Sequence, residues 1–175
     1  MKIDPRYPIG KFEKPDLITS QLLADWIDSL SVFPAALTQE VINLSASQLN
    51  TPYREKGWTV RQVVHHCADS HMNAYIRFKL ALTEQNPVIK PYEEALWALL
   101  PDSEMDIAPS LSLLTGLHAR WSSLLKGMSA SDFSKTYQHP EMGVAVRLDE
   151  ATGMYAWHCK HHLAHILMLK RSAGW

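Results

Sequence analysis

The segment YAWHCKHHLAHILMLK, residues 155–170, contains four histidines within eight residues. Its apolar residues recur at spacings of three and four, which is typical of an amphipathic helix. The pattern predicts a helix from about Asp149 to Arg171. Gly174 follows this helix and is the residue type that commonly ends one. The question is whether the histidines form a metal site or belong to an ordinary helix.

A helical wheel of this segment places His158 at the centre of the apolar stripe. His162 and His165 lie on the same stripe, and His161 lies at its edge. The side chains expected on the solvent side are Lys160 and Asp149.

His158 and His162 are four residues apart, the spacing by which one helix offers two imidazole nitrogens to one metal ion. A single inward histidine is more often a core residue that is hydrogen-bonded to one carbonyl group. Three histidines on one apolar face each need a partner in the core, whereas one metal ion satisfies several of them. The pattern therefore favours a metal site, which needs a third ligand from another segment.

The longest predicted helix lies in KGWTVRQVVHHCADSHMNAYIRFKLALTE and supplies candidates for the third ligand. Thr59 is a plausible N-cap, and the helix is expected to run for about 25 residues and to end before Asn86-Pro87. The candidate ligands in this helix are His65, His66 and His71.

On the wheel of this helix, His66 belongs to a stripe of hydrogen-bonding side chains beside the apolar face. Such a stripe is typical of a solvated flank and equally of a polar cleft. His71 is the better candidate for burial and His66 for a cleft, and the wheel does not decide between them. The other residues of the stripe are Gln62, Asp69, Ser70, Asn73 and Arg77.

The remaining segments predict an all-α fold. A proline-rich start is expected to form an extended arm, and helical patterns on both sides of Pro34 indicate one kinked helix or two. A further long helix is expected from Pro109 to Gly127, after a short helical piece near residues 92–100. A turn-rich stretch that ends near residue 148 is expected to be a long loop or small hairpin. Four long helical segments indicate an antiparallel four-helix bundle, formed by residues 1–175 as a single domain.

Composition excludes some classes of partner. The 17 basic and 18 acidic side chains give a net charge of −1, so nucleic acid is not an expected partner. We also expect no membrane span and no signal peptide, because no long uncharged apolar run is present. Two cysteines are too few for a disulfide framework and agree with a cytoplasmic protein.

The string GWTVRQVVHHCADSHMN, followed downstream by MYAWHCKHHLAHI, resembles the DinB/YfiT-like family of helical-bundle metalloproteins. It is most similar to the branch of metal-dependent hydrolases and bacillithiol S-transferases. The resemblance covers nearly the whole chain. It extends to the segments RYPIGKFEKP, TPYREKGWTV, YIRFKLALTE, LLTGLHARW and YQHPEMG.

The resemblance implies which histidines bind the metal. In the family, one ligand follows the tryptophan of the second helix by eight residues, which is His66 when counted from Trp58. Two more come from an H-x-x-x-H motif on the fourth helix, here His158 and His162. The implied cofactor is one Zn²⁺ or Ni²⁺ ion per chain. Supporting or structural roles remain for His65, His71, His161 and His165.

Such a site permits two reactions. Three neutral imidazoles leave the ion its full positive charge, so a nearby water or thiol loses its proton near neutral pH. If water is activated, the enzyme is a hydrolase. If a small-molecule thiol is activated, the enzyme is an S-transferase, and the thiolate attacks an electrophilic substrate. The family implies bacillithiol as the thiol and a homodimer as the assembly. The alternatives are a non-catalytic metal-binding bundle and a metal-free interaction bundle.

Further side chains are candidates for roles around the metal. Tyr155, one turn before His158, is expected to donate a hydrogen bond to a developing anion. Asp69 and Asn73 are expected to orient ligands or substrate. Arg77 is a candidate for binding a carboxylate of the thiol, with a surface role as the alternative. His139 lies in the turn-rich QHPEMG stretch and is given no role.

Overall fold

The computed structural model describes residues 4–141 and 143–175. In these ranges four long helices and several short elements confirm the predicted all-α class and four-helix bundle. The elements are α1 (Ser20–Val41), α2 (Ala46–Leu49), α3 (Val60–Thr83), α4 (Glu94–Trp97), α5 (Ala108–Lys126), α6 (Ala130–Phe133), β1 (Thr136–His139), β2 (Val144–Arg147) and α7 (Leu148–Ala173).

The four long helices surround one core. Helix α1 packs against α5 and α7, and α3 packs against the same two helices, so α1 and α3 lie diagonally across the bundle. Each helix turns its apolar side to the centre, which removes that surface from water. The core includes Leu30, Leu37, Phe78, Leu114, Trp121, Leu125, Leu148 and Ile166. The described helices are each too short or too polar to cross a lipid bilayer.

Helix α1 is a single helix that contains Pro34, which answers the question left open by the sequence. Proline lacks an N–H, so the carbonyl group of Leu30, one turn earlier, has no hydrogen-bond donor within the helix. The Nδ1–H of His118 in α5 donates to this carbonyl oxygen at 2.7 Å. A side chain from a neighbouring helix thus satisfies the group that the proline leaves unpaired.

Helix α3 begins where the sequence predicts. The hydroxyl of Thr59 accepts a hydrogen bond from the backbone N–H of Gln62, and the side chain of Gln62 accepts one from the N–H of Thr59. This reciprocal capping box fixes the first turn of the helix. The helix ends at Thr83, and Asn86 then adopts a positive φ of 48°. The predicted boundary before Asn86-Pro87 is confirmed.

The N-terminal arm, which the prolines of the sequence predicted, lies along α7. The described residues before Ser20 form turns and extended backbone. The indole N–H of Trp157 donates to the carbonyl oxygen of Gly10 at 3.3 Å, and Lys14 forms an ion pair with Glu150 at 2.9 Å. These contacts hold the arm beside the histidine-rich helix.

The turn-rich stretch before α7 forms the small hairpin that was one of the two predicted forms. Strands β1 and β2 pair in antiparallel fashion, with Thr136 opposite Arg147 and His139 opposite Val144.

One expectation about the start of α7 is wrong. Asp149 is only 8% exposed rather than on the solvent side, because Arg147 covers it and binds its carboxylate at 2.6 Å.

Helices α1 and α7 approach closely at Gly153. A Cβ atom at this position would lie 2.7 Å from the ring of Trp26 in α1, well inside van der Waals contact. We therefore predict that Gly153→Ala lowers the free energy of unfolding by about 1–3 kcal/mol through overpacking. Urea denaturation monitored by circular dichroism measures the change.

Gly116, within α5, is the matched control. A Cβ atom there has no neighbour within 4 Å. Gly116→Ala should raise the free energy of unfolding by about 0.5–1 kcal/mol, because alanine loses less backbone entropy in a helix. A Gly153→Ala variant as stable as the wild type would contradict the close approach of α1 and α7.

Candidate metal centre

Three histidine rings from two helices converge inside the bundle. The Nε2 atom of His158 lies 3.3 Å from the Nε2 atom of His66 and 3.1 Å from that of His162. One nitrogen from each ring can be chosen so that all three lie within 4.8 Å of one another. The structure therefore brings together the three residues that were predicted as metal ligands.

This arrangement fits a divalent ion better than a set of hydrogen bonds. The Nε2 atom of His158 carries either one hydrogen or one lone pair, so it cannot form good hydrogen bonds with both of its neighbours. A metal ion accepts the lone pairs of all three nitrogens. Bonds of about 2.0–2.1 Å to a tetrahedral zinc ion separate neighbouring nitrogens by about 3.3–3.4 Å. The two separations that involve His158 are close to this value, and imidazole also suits nickel, cobalt and copper.

The environment keeps the three rings uncharged. Burial lowers the pKa of His66 to about 4, with a smaller contribution from His161. Burial, and then the neighbouring imidazoles, lowers the pKa of His158 and His162 well below the ordinary value. Neutral imidazole is the form that binds metal, so at pH 7 no proton has to leave these rings first.

Aromatic residues from the turn before α3 pack against the histidines. The ring of Trp58 lies 4.5 Å from that of His66, and Tyr53 stacks on His165 at 4.0 Å. The backbone N–H of Tyr53 donates to the carbonyl of Trp58, which closes the turn. This turn therefore positions two rings beside the centre, a role that the sequence pattern did not reveal.

A first opening beside the centre, the Tyr155 cleft, has a volume of about 190 Å³. Two of the ligands, His66 and His158, face it. Elements outside the four long helices supply much of its wall. The lining residues are His66, Ser70, Arg77, Pro91, Tyr92, Glu94, His139, Glu141, Met154, Tyr155, Trp157 and His158.

Arg77 is the lysine or arginine side chain that lines the Tyr155 cleft, and its binding role stays a prediction. The side chain is only 8% exposed, and its Nη1–H donates to the hydroxyl oxygen of Tyr155 at 3.4 Å. Among the described residues, its Nε has no hydrogen-bond partner. Tyr155 is buried, and this burial raises the pKa of its hydroxyl group, which therefore stays protonated at pH 7.

A second opening, the Arg54 cleft, has a volume of about 370 Å³ and borders the third ligand, His162. The metal centre therefore lies between two clefts. Glu94 lines both of them. The other residues of the Arg54 cleft are Arg6, Tyr7, Tyr53, Arg54, Lys56, Gly57, Trp58, His161 and His165.

Asp69 and Asn73 line neither cleft. The side-chain amide of Asn73 donates to the backbone carbonyl of Asp69, one turn earlier in α3. Burial raises the pKa of the Asp69 carboxyl group to about 6. Their role in orienting ligands or substrate stays a prediction. From the same polar stripe, the structure instead places Ser70 in the Tyr155 cleft, although no role for Ser70 was predicted.

Two other histidines are placed outside the triad. One ring nitrogen of His65 lies 2.8 Å from the hydroxyl of Ser110, and the other lies 3.3 Å from the carbonyl oxygen of Met105. His65 thereby ties α3 to α5 and the turn before it. His139 ends β1 and lines the Tyr155 cleft, a position on which no prediction was made.

The N-terminal arm accounts for the other non-ligand histidines of α7. The Nε2–H of His165 donates to the carbonyl oxygen of Arg6 at 3.3 Å. His161 stacks on Trp157, whose ring also lies beside Phe12 of the arm. These rings line the Arg54 cleft or fasten the arm.

Two more imidazoles lie behind the triad. His71 contacts the Nδ1 atom of His158 at 3.0 Å and a ring nitrogen of His118 at 2.8 Å. Both His71 and His118 are almost completely buried. The sequence does not mark His118 as functional, because it stands alone among ordinary residues of α5 and no spacing connects it to the other histidines.

Comparison with known proteins identifies the family. The sequence model of the DinB superfamily matches residues 30–166. The chain belongs to the DinB superfamily. A relative from Bacillus cereus (strain 03BB102) is 52% identical over 172 residues, which cover 98% of this chain and 99% of the relative. A relative from Bacillus thuringiensis subsp. konkukian (strain 97-27) gives the same figures. Both carry the name "Putative metal-dependent hydrolase".

A solved structure is also similar over nearly the whole length. The chain superposes on YfiT from Bacillus subtilis with a TM-score of 0.95 and 48% sequence identity, covering 98% of each chain. YfiT is described as "a probable metal-dependent hydrolase with an unusual four-helix bundle topology". The predicted family and fold are thus confirmed.

We predict that His158→Ala abolishes stoichiometric metal binding while the protein stays helical. The substitution removes the nitrogen that lies near both other ligands. The loss of affinity should exceed about 100-fold, the upper end of what loss of a ligand's hydrogen-bond partner costs. Elemental analysis and competition with a chromophoric chelator measure it. His161→Ala, on the same helix but outside the triad, is the control and should retain full metal content. Unchanged affinity in His158→Ala would refute the ligand assignment.

We also predict that acid destabilises the metal-free protein between about pH 6.5 and pH 4. Burial lowers the pKa of His66 and His118 to about 4, whereas an unfolded histidine titrates near pH 6.5. Between these values the unfolded state binds more protons. The free energy of unfolding should therefore fall by up to about 1.4 kcal/mol per pH unit for each such histidine. Asp69, with its raised pKa, offsets part of the decrease.

Urea denaturation of chelator-treated protein at several pH values tests this dependence. A free energy of unfolding that does not change between pH 7 and pH 5 would contradict the burial of neutral histidines.

Proposed function

We propose that the chain is a metal-dependent enzyme in which His66, His158 and His162 hold one Zn²⁺ or Ni²⁺ ion. The reaction is hydrolysis, or transfer of a low-molecular-weight thiol of the bacillithiol type to an electrophilic substrate. The convergence of three neutral imidazole nitrogens beside two clefts carries the proposal. The names of the relatives support metal dependence and hydrolytic chemistry. A divalent ion supplies a positive charge that lowers the pKa of a water or thiol beside it.

The open surroundings of the triad favour an enzyme over a purely structural metal site. Structural zinc sites are usually closed by four protein ligands, whereas catalytic sites keep a position free. Here three histidines form the cluster, and polar clefts border it on two sides. A non-catalytic metal-binding bundle remains the alternative that the assay below separates.

The presence of two clefts supports a reaction with two organic substrates. Hydrolysis needs one substrate site and water, whereas S-transfer needs a thiol and an electrophile on the same centre. The Tyr155 cleft borders His66 and His158, and the Arg54 cleft borders His162. Each organic substrate then has its own approach to the reacting atoms.

Arg77 and Tyr155 are the groups of the Tyr155 cleft suited to bind an anion, and the carboxyl groups of Glu94 and Glu141 also line this cleft. A buried guanidinium group without an acceptor at Nε binds a carboxylate strongly, because the pair replaces lost hydration. We assign Arg77 to a carboxylate of the thiol. The hydroxyl oxygen of Tyr155 accepts from Arg77, so its own hydrogen is available for an oxygen or sulfur that gains negative charge.

The proposed partners are small molecules rather than nucleic acid or membranes, consistent with a net charge of −1. From the resemblance to its family we further propose a cytoplasmic homodimer. Size-exclusion chromatography with light scattering measures the oligomeric state.

The function is tested with metal-free protein and with protein reloaded with Zn²⁺ or Ni²⁺. One assay follows conjugation of 1-chloro-2,4-dinitrobenzene with bacillithiol, and another follows hydrolysis of a p-nitrophenyl ester without thiol. We expect turnover that requires the metal. Arg77→Met should raise the KM for bacillithiol by about 10- to 100-fold, because it removes charged hydrogen bonds.

Arg120→Met is the matched control, because Arg120 packs on Tyr75 and lines neither cleft. Its KM for bacillithiol should equal that of the wild type. Metal-loaded protein without turnover in either assay would favour the metal-binding module instead.

A further inference from the structure

A row of three hydrogen-bonded imidazoles crosses the centre of the bundle. His118 in α5 contacts the Leu30 carbonyl oxygen of α1 at 2.7 Å, and its other nitrogen contacts His71 in α3 at 2.8 Å. His71 in turn contacts Nδ1 of His158 in α7 at 3.0 Å. Each of the four long helices thus supplies one group to the row. We call these groups, from Leu30 to His158, the imidazole relay.

The Leu30 carbonyl end of the relay determines which atom is the donor in each of its hydrogen bonds. A carbonyl oxygen only accepts hydrogen bonds, so Nδ1 of His118 must carry the hydrogen. In a neutral ring the other nitrogen, Nε2, is then an acceptor, and Nδ1 of His71 must donate to it. By the same rule, Nε2 of His71 accepts from Nδ1–H of His158. The last nitrogen, Nε2 of His158, therefore holds a lone pair, and it faces the other two ligands.

The origin of this direction lies in the sequence of α1. In an uninterrupted helix the carbonyl of Leu30 would accept the N–H of residue 34, but residue 34 is proline. The unpaired carbonyl is therefore available to His118. Pro34 and the metal ligand His158 are thus connected through the Leu30 carbonyl group and two buried side chains, those of His118 and His71.

We propose that His71 and His118 are positioning residues that hold His158 in the tautomer with hydrogen on Nδ1 and a lone pair on Nε2. The relay thereby prepares the metal centre before the ion arrives. This inference rests on the metal centre of the proposed function, but on neither of the proposed reactions.

The relay matters because the metal-free triad has a competing arrangement. With hydrogen on Nε2, His158 can donate to the Nε2 atom of His66 or of His162, at 3.3 and 3.1 Å. That tautomer blocks metal binding. It would also place the Nδ1 lone pair of His158 against Nε2 of His71, which the relay fixes as an acceptor. Two facing lone pairs repel, so the relay disfavours the blocked tautomer.

Water cannot replace a hydrogen-bond partner that is lost from the relay, because His71 and His118 are buried. His71 and His118 are 0% and 1% exposed. The ring of Phe33 lies 5.3 Å from that of His71 and 5.6 Å from that of His118. Solvent therefore does not reach either ring to replace a missing partner, and loss of one link leaves a buried polar group unpaired.

The first test is the tautomer of each histidine in metal-free wild-type protein, read from long-range ¹H–¹⁵N correlation spectra. We expect His71, His118 and His158 all to carry hydrogen on Nδ1. Hydrogen on Nε2 of His158 would overturn the proposal. This measurement needs no variant and no activity, so it decides even if a variant fails to fold or if the proposed reactions are wrong.

The second test is the metal affinity of full-length variants, measured with Zn²⁺ against a chromophoric chelator. His118→Met removes the acceptor for Nδ1–H of His71 at similar volume. It should weaken Zn²⁺ binding by about 10- to 100-fold and raise the Nε2–H fraction of His158. In His118→Gln the side-chain carbonyl replaces the acceptor nitrogen, so this variant should regain most of the affinity.

His65→Met is the matched control, because His65 is also a buried hydrogen-bonded histidine of α3 but does not belong to the relay. It should lower stability without changing Zn²⁺ affinity. If His118→Met and His65→Met changed the affinity equally, or if His118→Gln bound no better than His118→Met, the role would be structural only and the proposal would fail.

Discussion

The constraint on which this structure depends is the burial of neutral imidazoles in a helical core. Each neutral ring has one N–H and one lone pair, and leaving either unpaired away from water costs about 1–3 kcal/mol. The Leu30 carbonyl, His118 and His71 satisfy one another in series as far as Nδ1 of His158. Beyond that point three Nε2 atoms meet, and hydrogen bonds alone do not satisfy them all. A divalent ion can bind the lone pairs of all three nitrogens. The packing of the core and the formation of the metal centre therefore depend on each other.

The positions of the helices and of the histidines along them could be predicted from the sequence, because periodicity and spacing are local properties. The four-residue spacing of His158 and His162 and the capping box at Thr59 both depend on neighbours along the chain. The choice between His66 and His71 was different, since both lie on inward parts of α3 and only the resemblance favoured His66. The structure supplies the reason, because His66 faces a cleft whereas His71 faces α5.

What the sequence could not reveal depends on contacts between distant residues. His118 is separated by 88 residues from the carbonyl that it binds, and nothing near it in α5 marks it as functional. Pro34 indicated a possible break in the first helix, but a tertiary hydrogen bond lets the helix continue. The wheel of α3 also grouped Asp69 with Ser70. Only the loop that carries Tyr92 and the hairpin that carries His139 decide which of the two borders the cleft.

The long helices and the loops contribute differently to the metal centre. The relay and the ligands come from the long helices, which are held by core packing and fix the metal-binding nitrogens. Much of the walls around the centre comes from the N-terminal arm, the turn that contains Trp58, the segment near Tyr92 and the hairpin. Loops accept sequence change more readily than a packed core does. The long helices therefore fix the metal-binding nitrogens and also carry Arg77 and Tyr155, whereas the parts of the walls that loops supply can vary without disturbing the tautomer of His158.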